Sequence, residues 1–279
     1  MIRWALHRLP LMSGLGRLAN SPLGRRLTAA ESTRVWAVTR SGDLLVSGRD
    51  WVGRTILLFG DLDPKITAII RRFVRPGDVA LDVGSNFGLY ALALSRRVGE
   101  TGRVHAFEPN PFLVEYISET KARNGLDNLI VRPFALGATR HRTTLWIPAG
   151  NLGQASLSER AASGMRVNEA HEVEVRDLDG LAAEEGLDRL NFVKIDVEGF
   201  EADVVAGGLE TFRRLRPRAI VLEQHGWRTF DEMPEALRSL QGIGYAIRGV
   251  AKRAFSLRLE EVDRENHTAF FDFVAVRED

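Results

Sequence analysis

The 279-residue chain contains no cysteine, which removes any disulfide framework, Cys-ligated zinc site, iron–sulfur cluster or thiol nucleophile. It also has no run of about 18 apolar residues, so a transmembrane helix is not expected. Neither sign of charge dominates: 38 Lys+Arg face 37 Asp+Glu, a net charge of +1. Without a global basic field, a dedicated nucleic-acid binder is not expected. Internal repeats and low-complexity tracts are missing too. What is present is an ordinary globular composition, 44% apolar and 27% charged, which excludes disorder over most of the chain. A chain of this length buries about 70–75% of its unfolded surface and needs no disulfide or metal to fold.

One shortage is local. The first thirty residues carry Arg3, Arg8, Arg17, Arg25 and Arg26 but no acid, with Trp4, Leu6, Leu9, Leu11, Leu15 and Leu18 among them. His7, Arg8 and Pro10 interrupt the apolar run that a secretory signal needs, and a cytoplasmic location is expected. Residues 1–30 then read either as a basic amphipathic segment in weak contact with an anionic membrane surface or a partner, or as a frayed or packed extension with solvated charges. Pro10, Gly14 and Gly16 weaken a continuous helix there.

Beyond this segment strands alternate with helices. Val35–Val38, Leu44–Val46 and Thr55–Phe59 read as short strands of a hairpin cap. Pro64 opens a helix with Ile66, Ile69, Ile70 and Phe73 at helical spacing. Val79–Val83 is a short apolar run without alternation, the mark of a strand buried on both faces. A helix over 89–98, a strand at 103–107, a helix over 111–123 and a strand from Leu129 follow. Further strands are expected at Phe192–Asp196 and Ala219–Glu223, with a helix around 201–214 between them. Two more are expected at Tyr245–Ile247 and Ala269–Val276. Such alternation predicts a mostly parallel sheet with helices on both faces. The division is a basic extension and hairpin cap over 1–60 and one main domain over 61–279.

The first strand runs into Asp82-Val83-Gly84-Ser85-Asn86-Phe87-Gly88 and then a helix. A dinucleotide fingerprint would read G-x-G-x-x-G, yet Asn86 stands where the middle glycine belongs. Glu108 ends the second strand about 20 residues after Gly88, where a carboxylate can accept both ribose hydroxyls and would repel a 2′-phosphate. A ribose-reading acid beside a turn not built for pyrophosphate points to S-adenosylmethionine.

The runs LDVGSNFGLYALAL, GRVHAFEPNP, RNGLDNL, FALG and FVKIDVEGFE resemble the FkbM-type family of S-adenosylmethionine-dependent methyltransferases. The resemblance implies an α/β Rossmann-like methyltransferase fold: a mostly parallel seven-stranded sheet with an antiparallel last strand, here behind a small N-terminal β/helical extension. It also implies O-methyl transfer to a hydroxyl. Carried over by position, Gly84, Asn86 and Gly88 line the methionine end of the cofactor and Glu108 holds its ribose. Ala135 and Leu136 lie near the adenine. Asp82, Ser85, Pro109 and Asp196 complete the expected cofactor-binding set. Asp63-Pro64 departs from the usual Glu-Pro, and Ala91 stands where Thr is frequent.

Lys194, Asp196 and Glu198 follow at period two and share a face while the strand stays extended. A Lys194 ammonium inside an apolar strand needs a partner, which Asp196 or Asp82 could supply. Glu201 reads equally as a helix-capping acid. Glu223 and His225 alternate onto the same carboxyl edge. An alcohol acceptor must lose its proton, so His225 or Asp196 is expected to take it, with Glu223 and Lys194 completing the candidate catalytic set. Asp196, Glu198, Glu223 and His225 could also hold Mg²⁺ against a diol, but ion pairing suits them equally and no recognised ligand spacing is present. No metal is expected.

Residues 141–176 read as a long insertion of the kind that forms a lid or acceptor loop. Its Asn151 and Ser156 could hydrogen-bond sugar hydroxyls, against the plainer reading of loop polarity, and Trp227 after the fifth strand could stack on a sugar face, against the reading of a rim or core aromatic. The expected activity is O-methyl transfer to a small-molecule or glycan hydroxyl acceptor, on a saccharide, glycolipid or secondary metabolite. The alternatives are an NAD-dependent oxidoreductase, opposed by the missing glycine, and a catalytically silent module that keeps the cofactor fold.

Overall fold

In the computed structural model, residues 15–28, 33–148, 152–157, 167–224, 227–251 and 256–278 are described. Two short helices, α1 (Leu15–Ala19) and α2 (Pro22–Thr28), precede an antiparallel hairpin of β1 (Val35–Val38) and β2 (Asp43–Val46). Leu44, Leu45 and Val46 of that hairpin enter the same apolar core as the main sheet.

Thr55–Phe59, read above as a strand, is instead the second half of helix α3 (Trp51–Phe59). Asp50 caps it by accepting from Val52 N at 2.8 Å, and Gly60 stops it with φ 69°. The apolar run is buried on all sides, so its period carries no information and the two caps decide the conformation. Helix α4 (Pro64–Phe73) follows, capped by Asp63.

The sheet then grows strand by strand: β3 (Val79–Val83), helix α5 (Leu89–Val98), β4 (Arg103–Phe107), helix α6 (Pro111–Asn124), β5 (Leu129–Arg132). The short β6 (Ala135–Leu136) leads to β7 (His141–Pro148) and β8 (Val167–Arg176). These three make a separate sheet in the order β6-β8-β7, so the expected insertion loop is largely a hairpin. Its outward Glu172 and Glu174 alternate with inward Val173 and Val175, a period-two signal. Helix α7 (Leu178–Glu184) returns the chain to β9 (Phe192–Ile195).

The helix expected over 201–214 is divided into α8 (Glu201–Ala206) and α9 (Leu209–Leu215) by Gly207 and Gly208. A Cβ on Gly207 would lie 2.0 Å from Gly137 O, so only glycine lets those backbones meet. Strand β10 (Ala219–Glu223), helix α10 (Glu235–Gly242), β11 (Tyr245–Val250), β12 (Leu259–Glu261) and β13 (Asp272–Arg277) complete the chain. The last strand starts later than expected, because His267–Ala269 form a 3₁₀ turn.

The main sheet has eight strands, ordered β12-β11-β13-β10-β9-β3-β4-β5. Strands β10, β9, β3, β4 and β5 are parallel and β13 is antiparallel to β10. The strand beyond the expected seven is β12, only three residues long and mostly polar. Side chains alternating along each strand divide two cores. Ala80, Val104, Phe192 and Val221 face helices α4, α5 and α6, while Leu81, Val193, Ile220 and Leu222 face α7 to α10. The fold is α/β and Rossmann-like, with its parallel strands ending along one edge.

Candidate active site

In open parallel sheets the loops after the strands surround a crevice where the strand order reverses. Here β3 lies between β4 and β9, and a cavity of about 450 Å³ opens at their carboxyl ends. Gly84, Asn86, Glu108, Pro109, Ala135 and Leu136 line it, together with Lys194, Asp196, Glu198, Glu223 and Asp272.

Gly84 turns the chain at φ +74°, and its N–H donates to Phe107 O at 3.0 Å. A Cβ there would lie 1.9 Å from Asp196 O, so the turn after β3 rests directly on the end of β9. Asn86 is also left-handed, at φ 51°. Its N–H donates to Glu108 Oε2 at 2.8 Å, while Asn110 N donates to Oε1 at 2.9 Å. Burial pushes the Glu108 carboxyl up to about 7, against the pull of those two N–H groups. Asp82, Ser85 and Gly88 stand behind the lining. Ser85 Oγ donates to Asp82 O at 2.8 Å, and Gly88 caps α5 with φ 86°.

Lys194 is 4% exposed. Its Nζ donates to Gly84 O at 3.0 Å and lies 3.5 Å from Asp82 Oδ1 and 3.4 Å from Asp196 Oδ2. Both carboxylates expected as its partner therefore share it. Neither Asp82 carboxylate oxygen has a hydrogen bond of good geometry, and burial holds that carboxyl above its usual range. Lys194 thereby tethers the ends of two strands.

Glu223 is pushed up to about 8 by burial first, then by the negative charges of Asp196, Asp272 and Glu198. Asp272 is its cross-strand partner on β13 and accepts from Lys65 Nζ at 2.6 Å. Lys65 also lies 3.0 Å from Asp63 Oδ2. Asp63 rises to about 6, again mainly by burial. Asp63 N in turn donates to Tyr90 Oη at 3.2 Å, and Tyr90 lines the cavity below Lys194 Nζ.

Glu201 is more than a helix-end charge. Its Oε1 accepts from Val197 N and Gly199 N, each at 3.2 Å, binding the loop that carries Glu198 at φ 53° toward the cavity. His225 and Asn151 lie outside the described residues. Trp227 is a core aromatic, 6% exposed, stacked on Phe230 with its indole N–H donating to Thr229 O at 2.9 Å. Ser156 pairs its backbone with Trp146, while Leu152, Gly153, Ala155 and Leu157 of the same segment line the cavity. Among the described residues no group of three or more His, Asp or Glu is placed to hold a metal ion.

Residues 82–247 match the model of the methyltransferase FkbM domain. The chain belongs to the FkbM methyltransferase family. It is 28% identical over 200 residues to 31-O-demethyl-FK506 methyltransferase FkbM of Streptomyces tacrolimicus, covering 62% of this chain and 75% of that one. It is 26% identical over 159 residues to the 2-O-methyltransferase NoeI of Sinorhizobium fredii, covering 53% of this chain and 64% of that one. A 31% identity over 184 residues to the AMB antimetabolite synthetase AmbE of Pseudomonas aeruginosa spans 54% of this chain but only 8% of AmbE. A solved FkbM methyltransferase from Methylobacillus flagellatus superposes with a TM-score of 0.46 at 15% identity, over 81% of this chain and 53% of that one.

In this FkbM-family chain three cavity residues with oxygen-bearing side chains escaped the sequence reading as site groups: Asp63, Tyr90 and Asp272. Asp272 left a signal, being the one charge inside Phe270-Phe271-Asp272-Phe273-Val274-Ala275-Val276. A buried strand carries such a charge only where it has a partner. Tyr90 left none, because a tyrosine on an apolar helix face reads as core.

Proposed function

We propose that the chain is an S-adenosylmethionine-dependent O-methyltransferase acting on a hydroxyl of a saccharide, glycolipid or secondary metabolite. The observation that carries this is Glu108. An ionised carboxylate offers about four lone-pair sites, and backbone N–H groups take one at each oxygen. One site per oxygen is left over, the number a ribose diol needs. Ala135, Leu136, Leu113 and Leu145 add apolar wall for an adenine. A carboxylate at this position and an asparagine in the turn suit a nucleoside without phosphate, against a dinucleotide.

The cofactor, when bound, supplies a methyl group on a positively charged sulfur. Asp196, Glu198, Glu223 and Asp272 bring four carboxyl groups to the same cavity. Glu223, with its raised proton affinity, is suited to accept the hydroxyl proton of the acceptor; Asp196 beside it is the second candidate, and His225 remains a third. Holding the two reactants in line is the larger contribution, potentially ~7–11 kcal/mol of barrier. A positioned base adds about 10²–10⁴-fold.

The test compares S-adenosylhomocysteine with NAD by thermal shift, then follows labelled methyl transfer to saccharide, glycolipid and polyketide hydroxyls. Stabilisation by S-adenosylhomocysteine alone and labelling of a hydroxyl are expected. Stabilisation by NAD instead, or binding with no acceptor labelled, rejects the reading.

A further inference from the structure

Seven large apolar side chains are exposed among the described residues, and four of them (Leu18, Leu23, Leu27 and Trp51) belong to helices α1, α2 and the start of α3. These helices pack on one another, and α1 lies against the Trp51 indole so closely that a Cβ on Gly16 would be 2.3 Å from the ring. Leu23 is 67% exposed and Leu18 52%. Ala19 and Gly24 of the same helices are buried, while Leu18, Leu23 and Leu27 are exposed.

The charge on this face has one sign. Arg17, Arg25 and Arg26 are all exposed, and none is held in an ion pair with a carboxylate among the described residues. Residues 1–30 contain no acid, and the nearby Asp50 is buried at 1% as the cap of α3. Leucine and arginine are interleaved: Leu18 follows Arg17, and Arg26 lies three residues from Leu23 on the same turn of helix. Apolar and cationic groups therefore reach the same level. That arrangement suits the boundary between acyl chains and phosphates, where leucines insert and guanidinium groups stay with the headgroups. An exposed tryptophan at the rim belongs to the same interfacial chemistry. An acidic protein surface would use the arginines but would leave Leu18 and Leu23 without a purpose. Trp51 and Val52 also line the cavity, so this face and the cavity mouth share a residue.

We propose that α1, α2 and the start of α3 form a docking face for an anionic lipid bilayer, which seats the protein with the cavity mouth beside the headgroups. The proposal stands apart from the methyl-transfer reading and is tested without activity. The full chain is sedimented with vesicles of phosphatidylcholine alone and of phosphatidylcholine and phosphatidylglycerol in equal parts. Binding only to the anionic vesicles, weakened by salt, is expected. The R17E/R25E/R26E variant and the L23S/L27S variant should each bind at least about 10-fold more weakly. A Val38→Ser control, exposed elsewhere, should bind like the parent. As a measurement free of substitutions, hydrogen exchange should slow over residues 15–28 and 51–55 on anionic vesicles alone. Equal binding to both vesicles, no binding, or protection confined to other segments overturns the proposal. So does a dimer that L23S/L27S dissolves, since a second copy would then own the face.

Discussion

In the proposed reading ligand choice turns on Glu108, and the chemistry of that carboxyl makes the choice measurable. Both oxygens already accept a backbone N–H, and burial raises the group to about 7. A diol that donates to the carboxylate prefers the ionised form, so binding must first remove the proton below that pH. S-adenosylhomocysteine affinity, followed by calorimetry, should therefore rise between pH 6 and 8 and then level off. In Glu108→Gln the amide NH₂ faces one of the two N–H donors and one diol acceptor is gone. Affinity should fall by about 10- to 100-fold, the size of one hydrogen bond to a charged group, and the pH dependence should vanish. An unchanged affinity would remove Glu108 from the ribose. Glu223, raised to about 8, makes a separate prediction. Glu223→Gln should keep cofactor affinity but lose about 10²–10⁴ in turnover, along with the rise in rate through about pH 8. Retained turnover would move the proton to Asp196 or His225.

Glu201 illustrates what an element end does beyond its own helix. It accepts from Val197 N and Gly199 N and is 5% exposed. Glu201→Ala would leave two N–H groups without an acceptor, about 1–3 kcal/mol each where water cannot reach them. The thermal midpoint should fall by several degrees, and hydrogen exchange at residues 197–199 should quicken, while Glu201→Gln, which keeps the acceptor, restores both. A midpoint unmoved by Glu201→Ala would mean that the loop is held elsewhere. At this scale the main sheet was readable from sequence, because apolar runs such as Val79–Val83 are too short for helices and stand between glycine turns. Thr55–Phe59 was not, since burial on every side erases the period and leaves Asp50 and Gly60 as the only guides. The β7–β8 hairpin was missed for another reason: its alternation was present, but its polar outward face resembles a loop. Gly84 and Glu108 could be read because their spacing is local. The juxtaposition of Lys65 with Asp272 could not, as it joins residues 207 positions apart.

Across the whole molecule that last contact ties helix α4, which precedes the main sheet, to the final strand β13, and both elements bring carboxylates to one cavity. Burying several acids together leaves a balance that depends on pH. Glu108 and Glu223, raised to about 7 and about 8 from 4.5, stabilise the fold fully below pH 4.5, and their contribution is lost as pH climbs through those values. Asp63, raised to about 6 from 3.8, acts in the same direction at lower pH. His105 opposes them: burial lowers it to about 4 from 6.5, so its contribution is complete above pH 6.5 and lost as pH falls through 4. Lys65 and Lys194, both raised, stay charged throughout this window. Below pH 6.5 the histidine and the acids partly cancel. Through pH 6.5 to 8.5 the ionisation of Glu108 and Glu223 lowers stability, and the thermal midpoint of the ligand-free protein should fall. Glu223→Gln should flatten the upper half of that decline, and saturating S-adenosylhomocysteine should flatten the lower half by holding Glu108 ionised. A midpoint that rises over the same range would show that the cavity acids ionise freely, leaving Glu223 without the proton affinity its proposed role requires.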